Sequence, residues 1–84
     1  MKRGTLPSIL RGHRLARGLS LAQMAVLLAE AGVSRTRAML HHYEKGKASV
    51  CREVLDAYVQ ALELHGPAAR ELYEAGGLIV QVSA

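Results

Sequence analysis

Apolar residues recur every three or four positions along most of this chain, and glycine or proline interrupts the rhythm at helix-sized intervals. That period places the apolar side chains of each segment on one face of an α-helix. Pro7 suits a first helical position and Gly18 a C-terminal stop. They predict a first helix over about Pro7–Arg17, with Leu6, Ile9, Leu10, Leu15 and Ala16 as its apolar residues. Ser20 caps a second helix that ends near Gly32, with Leu21, Met24, Ala25, Leu28 and Ala31 on one side. A third follows a cap at Ser34 or Thr36 and stops at Gly46. A fourth is predicted from Ser49 to Gly66, burying Val50, Val54, Leu55, Tyr58, Ala61 and Leu62. Pro67 opens a fifth that runs to Gly76. Beyond it, Leu78, Ile79, Val80, Gln81 and Val82 lose the helical period and are β-prone. No internal repeat, low-complexity linker or second domain breaks the pattern. The expectation is an all-α, compact five-helix bundle over residues 1–77, with a short β-prone C-terminal tail over 78–84.

A length of 84 residues allows one domain with a thin core. The single cysteine, Cys51, forms no internal disulfide, which fits a reducing cytoplasm; it is expected to be a small apolar residue near the start of the fourth helix. No apolar run is long enough for a bilayer, and no signal-peptide segment follows the basic start Met1-Lys2-Arg3-Gly4. A soluble, cytoplasmic protein is expected, with no membrane partner.

Charge changes the picture more. Residues 1–52 hold ten Lys/Arg against two acids, whereas residues 53–84 hold one Arg against five acids. The net charge of +4 is therefore +8 in one half and −4 in the other. A basic half joined to an acidic half implies one face for a polyanion and another that avoids it.

The basic half also carries a motif. Arg11 to Leu19 reads RGHRLARGL, Gly18-Leu19-Ser20 leads into Met24-Ala25, and the third segment closes Leu40-x-x-Tyr43-Glu44-Lys45-Gly46. Val54, Leu55, Tyr58 and Leu62 follow at helical spacing. Together these residues, spanning roughly Leu10 to Leu64, resemble the Cro/repressor (Xre-like) helix-turn-helix family of DNA-binding proteins. The resemblance implies a lambda-repressor-like bundle whose second and third helices form the helix-turn-helix, the third entering the major groove. It also implies an ion pair between Glu44 and a first-helix arginine, Arg11 or Arg14, that locks the third helix against the first. The chain departs from the family in two places. Ser20 to Glu44 is longer than the family norm by about one helical turn, with the extra residues in 29–34. The family often has Gln directly after the cap, where it clamps a phosphate; this chain has Leu21, and Gln23 lies nearby on a different face.

Aligned back from Glu44, the resemblance implies that Thr36 caps the recognition helix and offers its hydroxyl and backbone N–H to a phosphate. Arg37 is placed to read guanine O6 and N7. Ala38 and Met39 are placed to meet a thymine methyl, His41 and His42 to donate to a base or phosphate, and Lys45 and Lys47 to hold the backbone. Arg35, beside the cap, joins this set or is a solvated charge. No Cys/His cluster, Gly-rich phosphate loop or nucleophile–base motif appears in the sequence, so neither metal, cofactor nor catalysis is expected. Glu53 and Asp56 are expected to face solvent.

The expected function is a sequence-specific regulator of transcription, repressor- or Cro-like, that binds double-stranded DNA as a homodimer and occludes an operator. The alternative is a protein-interaction module on the same fold: an antitoxin gripping a toxin, or a phage adapter binding polymerase. The tail, helped by Leu72 and Tyr73, is expected to pair across the dimer axis.

Overall fold

The protein is described by a computed structural model over residues 5–77. Five helices occupy that span: α1 (Leu6–Ala16), α2 (Leu21–Glu30), α3 (Arg37–Lys45), α4 (Arg52–Ala61) and α5 (Gly66–Ala75). The tail expected over 78–84 lies outside the described residues.

The helices begin where side chains or proline meet their unpaired N–H groups. Pro7 stands in the first turn of α1. Ser20 and Gln23 form a reciprocal capping box on α2: the Ser20 hydroxyl accepts from the Gln23 N–H at 3.1 Å, and the Ser20 N–H donates to Gln23 Oε1 at 2.8 Å. Thr36, and not Ser34, caps α3, its Oγ1 accepting from the Met39 N–H at 3.1 Å.

α3 packs on both α1 and α2, α4 on α2 and α5, and α5 returns to α1. The core they enclose is apolar. It centres on Leu10, Met24, Leu28, Leu40, Val54, Leu55, Tyr58, Leu62 and Leu72, each with no exposed surface. Full burial of a side chain of this size is worth about 1.5–3 kcal/mol.

Between α2, ten residues long, and α3 the chain runs through a connection of residues 31–36. Gly32 takes a left-handed backbone (φ +95°), so its N–H reaches the Ala29 carbonyl at 3.0 Å and the Val33 N–H reaches Leu28 at 2.9 Å. That ending satisfies the last carbonyls of α2. It also turns Val33 into the core, where it is 5 % exposed and pins the connection in place.

The structure corrects the sequence reading in six places. α4 begins at Arg52, because Cys51 keeps extended backbone (φ −80°, ψ 166°) at its N-cap; Ser49 and Val50 precede the helix, and Val50 is only half-buried. Cys51 itself is exposed, not an apolar filler. α4 also ends before Gly66. Glu63 adopts the left-handed conformation (φ +52°), and the Leu64 N–H closes onto the Val59 carbonyl at 2.9 Å. A non-glycine residue does so at about 1–2 kcal/mol, a cost offset here by packing Leu62 and Leu64 against the core. In α1 the buried side runs through Leu10 and Arg14, so Leu15, turned about 100° from Arg14, is 53 % exposed and Ala16 is exposed too. Finally, Leu72 is fully buried in this chain's own core and so is not free to help a dimer. Ala57, not foreseen as core, is 3 % exposed.

Candidate nucleic-acid interface

α3 is amphipathic, and its inner side decides its orientation. Leu40, Tyr43 and Glu44 are buried, spaced three and four apart on one face. Arg37, Ala38, His41, His42 and Lys45 are exposed and share the opposite face. The structure thus brings these five sequence-predicted residues together on one surface. Met39 is different: it is half-buried and packs at the edge of the core, so only part of it is turned outward. The rings of His41 and His42 meet edge to face, centroids 6.3 Å apart. Among the described residues no metal-binding group of three or more His, Cys, Asp or Glu exists.

What fixes α3 against the body is a buried ion pair. Arg14 Nε donates to Glu44 Oε2 at 2.7 Å and Nη2 donates to Oε1 at 2.9 Å. The first-helix partner is therefore Arg14; Arg11 is exposed. Arg14 Nη1 also donates to the Leu19 carbonyl at 2.7 Å, tying the α1–α2 link to the same guanidinium. The bidentate geometry fixes direction as well as distance. The hydrogen bonds to Glu44 raise the Arg14 pKa above its already high ordinary value, so the guanidinium stays charged. Tyr58 lies fully buried close to this pair. Its hydroxyl has no hydrogen-bond partner among the described residues, and burial holds its pKa far above the ordinary tyrosine range.

Near the N-terminus of α3 a second arginine is oriented by hydrogen bonds. Arg35 Nε donates to the Tyr43 hydroxyl at 3.1 Å and Nη1 to the Ser34 carbonyl at 2.8 Å. Arg35 is thus an oriented cation beside the cap, with N–H groups left over. The Thr36 hydroxyl keeps its own proton to donate after accepting from Met39. At the other end, Gly46 has a left-handed backbone (φ +74°) and the Lys47 N–H closes on the His42 carbonyl at 2.9 Å. A side chain at Gly46 would sit 3.4 Å from the Pro7 ring, so the turn also lies against the start of α1. Lys45 and Lys47 are left exposed on either side of it.

Two structural roles were not assigned from the sequence. Gln23 spends its carbonyl oxygen on the capping box, which the spacing Ser20-x-x-Gln23 encodes directly. Tyr43 serves both as core and, through its hydroxyl, as the anchor of Arg35. Nothing in the local sequence announces that second use.

The charge division survives folding. Arg37, Lys45, Lys47 and Arg11 are exposed on the α1–α3 side, while Glu53, Asp56, Glu63, Glu71 and Glu74 are exposed on α4, α5 and their link. Asp56 accepts a hydrogen bond from Tyr73, whose pKa is pushed up to about 12, first by burial and then by that bond.

A family model described as a helix-turn-helix domain matches residues 8–72. That span runs from α1 into α5 and contains the whole α2–connection–α3 unit. No curated protein and no solved structure matches the chain.

Proposed function

The chain belongs to the helix-turn-helix domain family, and on that premise we propose that it is a sequence-specific regulator of transcription that binds double-stranded DNA. The observation that carries the reading is the outward face of α3. Arg37, His41, His42 and Lys45 stand exposed on a helix whose other side is clamped by Arg14 and Glu44. A rigid helix with an exposed cationic face fits the major groove. Arg37, at the first helical position, has no hydrogen-bond partner among the described residues and is the base reader. Ala38 and the outer part of Met39 meet thymine methyls. Thr36 and Arg35 hold one phosphate strand at the start of the helix, and Lys45 and Lys47 hold the other at its end.

With around five phosphate contacts, log affinity falls with log salt at a slope near −4 to −5, from about −0.9 per contact. Fluorescence anisotropy on a duplex pool across a salt series measures it. Affinity flat with salt removes this reading and favours the protein-interaction module, an antitoxin or polymerase adapter.

The mode of action proposed is repression, Cro-like, with a homodimer covering two half-sites about one DNA turn apart and excluding polymerase. No cofactor takes part. The compartment is the cytoplasm, on the nucleoid; no helix among the described residues is long and apolar enough to cross a membrane. The DNA-binding domain is residues 1–77, and the apolar tail 78–84 supplies the dimer strand. Truncation after Gly77, read by sedimentation, yields a folded monomer with weakened DNA binding. A truncated protein that still dimerises refutes the tail's role.

A further inference from the structure

A second concentration of cations flanks a cleft of about 460 Å³ between α1 and α3, lined by Thr5, Ser8, Arg11, Gly12, Glu44 and Lys45 among others. Ser8 and Arg11 are three apart and so share a helix face. Gly12 leaves open space, with no atom within 4 Å of where a Cβ would stand. Glu44 is the one acid on the lining, and both its oxygens already accept from Arg14 while its side chain is 4 % exposed. Its charge is cancelled in place, so it does not oppose an anion. What remains, beside the apolar Pro7 and Leu15, is two exposed cations and two hydroxyl donors around a roomy recess, groups that suit a phosphate oxyanion. Lys45 belongs both to this cleft and to the outward face of α3. A ligand in the cleft is therefore continuous with whatever lies along that face.

We infer that the α1–α3 cleft seats a backbone phosphodiester of the bound DNA, clasped by Arg11 from α1 and Lys45 from α3. This rests on the DNA-binding reading and extends the footprint beyond α3 and its flanking turns. Arg11 is the new contact: it carries the interface onto the first helix, and it explains why a guanidinium stands one turn before Arg14 without joining the Glu44 pair.

The test is the salt dependence of DNA binding by the full chain, its Arg11→Ala and Lys45→Ala variants, the double variant, and Arg70→Ala on α5 as control. Each single variant lowers the magnitude of the slope by about 0.9 without altering base preference. The double variant loses little more than either single one, because the phosphate is held only by the two cations together. Arg11→Lys keeps the slope, and Arg70→Ala leaves it unchanged. An unaltered slope for Arg11→Ala, with a normal wild-type slope, overturns the cleft while leaving the DNA reading intact. A wild-type slope of zero overturns the reading itself. Fully additive losses mean two separate phosphates and overturn the clasp. Titration with inorganic phosphate alone, followed by amide shifts at Ser8, Arg11 and Gly12, distinguishes the source: saturation at low concentration without DNA points to a free phosphate ligand and overturns the assignment.

Discussion

The two halves of this small bundle are fastened by different physics. On the basic side, α3 is joined to α1 by a buried bidentate ion pair, Arg14–Glu44, and cations surround it at the surface. On the acidic side, the buried contact between α4 and α5 is hydrocarbon, with Leu55, Leu62 and Leu72 fully buried and Gly76 pressed against Leu55, and their one polar link among the described residues, Tyr73 to Asp56, is at the exposed surface. Hydrocarbon contacts are strong but tolerate small rotations of a helix. A two-pronged charged bond does not, and this one sets the angle at which α3 presents Arg37, Ala38 and Lys45. The comparison teaches where orientation matters: the buried polar contact occurs where a surface has to be aimed.

The sharpest way to break the difference is to remove one partner of the pair. Arg14→Ala or Glu44→Ala leaves a buried charge alone and is expected to cost about 3–5 kcal/mol in chemical denaturation. The double variant Arg14→Met, Glu44→Leu is expected to recover most of that, short of the bond from Arg14 to the Leu19 carbonyl. If either single variant costs under about 1 kcal/mol, as a surface pair does, the pair is not a lock. On the acidic side the corresponding change is steric. A Cβ at Gly76 would stand 2.6 Å from Leu55 Cδ1, so Gly76→Ala is expected to cost about 1–3 kcal/mol. Its salt slope for DNA stays as in the wild type, which separates stability from aim.

Smaller effects sharpen the account of α4 and α5. Glu63→Gly relieves a left-handed side-chain residue (φ +52°) and is expected to raise stability by about 1 kcal/mol; a loss would mean that Glu63 makes a contact worth more than its strain. Tyr73 carries a pKa raised from 10 to about 12, first by burial and then by its bond to Asp56. The fold favours the neutral phenol, so its contribution is complete below pH 10 and fades as pH rises towards 12. Thermal melts across that alkaline range fall more steeply for the wild type than for Tyr73→Phe. Equal slopes would show that Tyr73 titrates as in the unfolded chain.

Much of this arrangement was legible in the sequence, for reasons that differ by residue. Helix number and order followed from apolar period and glycine stops, because a 3.6-residue repeat is imposed by burial on one side. The outward set on α3 is what the resemblance implies when aligned back from Glu44; helical period by itself places only Leu40 and Tyr43 inside. The end of α4 did not, because Glu63 does what glycine usually does, and only the packing of Leu62 and Leu64 makes that worthwhile. The Arg14 choice over Arg11 needed three dimensions: both stand on α1, and only the helix crossing decides which reaches Glu44. The anchoring of Arg35 by Tyr43 was invisible for the same reason. Extra length is legible over 29–34, but the pin of the connection, Val33, shows itself only as a buried side chain.

The central claim is that α3 reads sequence through Arg37 while the cations around it hold the backbone. Selection of bound duplexes from a random pool, run in parallel with wild type and Arg37→Ala, tests it most directly. The account predicts an enriched wild-type motif of two half-sites about one DNA turn apart. For Arg37→Ala it predicts loss of preference at one position in each half-site, at a cost of about 1–3 kcal/mol on the wild-type site. Enrichment of no motif by the wild type, or an Arg37→Ala variant that keeps the same motif and weakens every site alike, contradicts it.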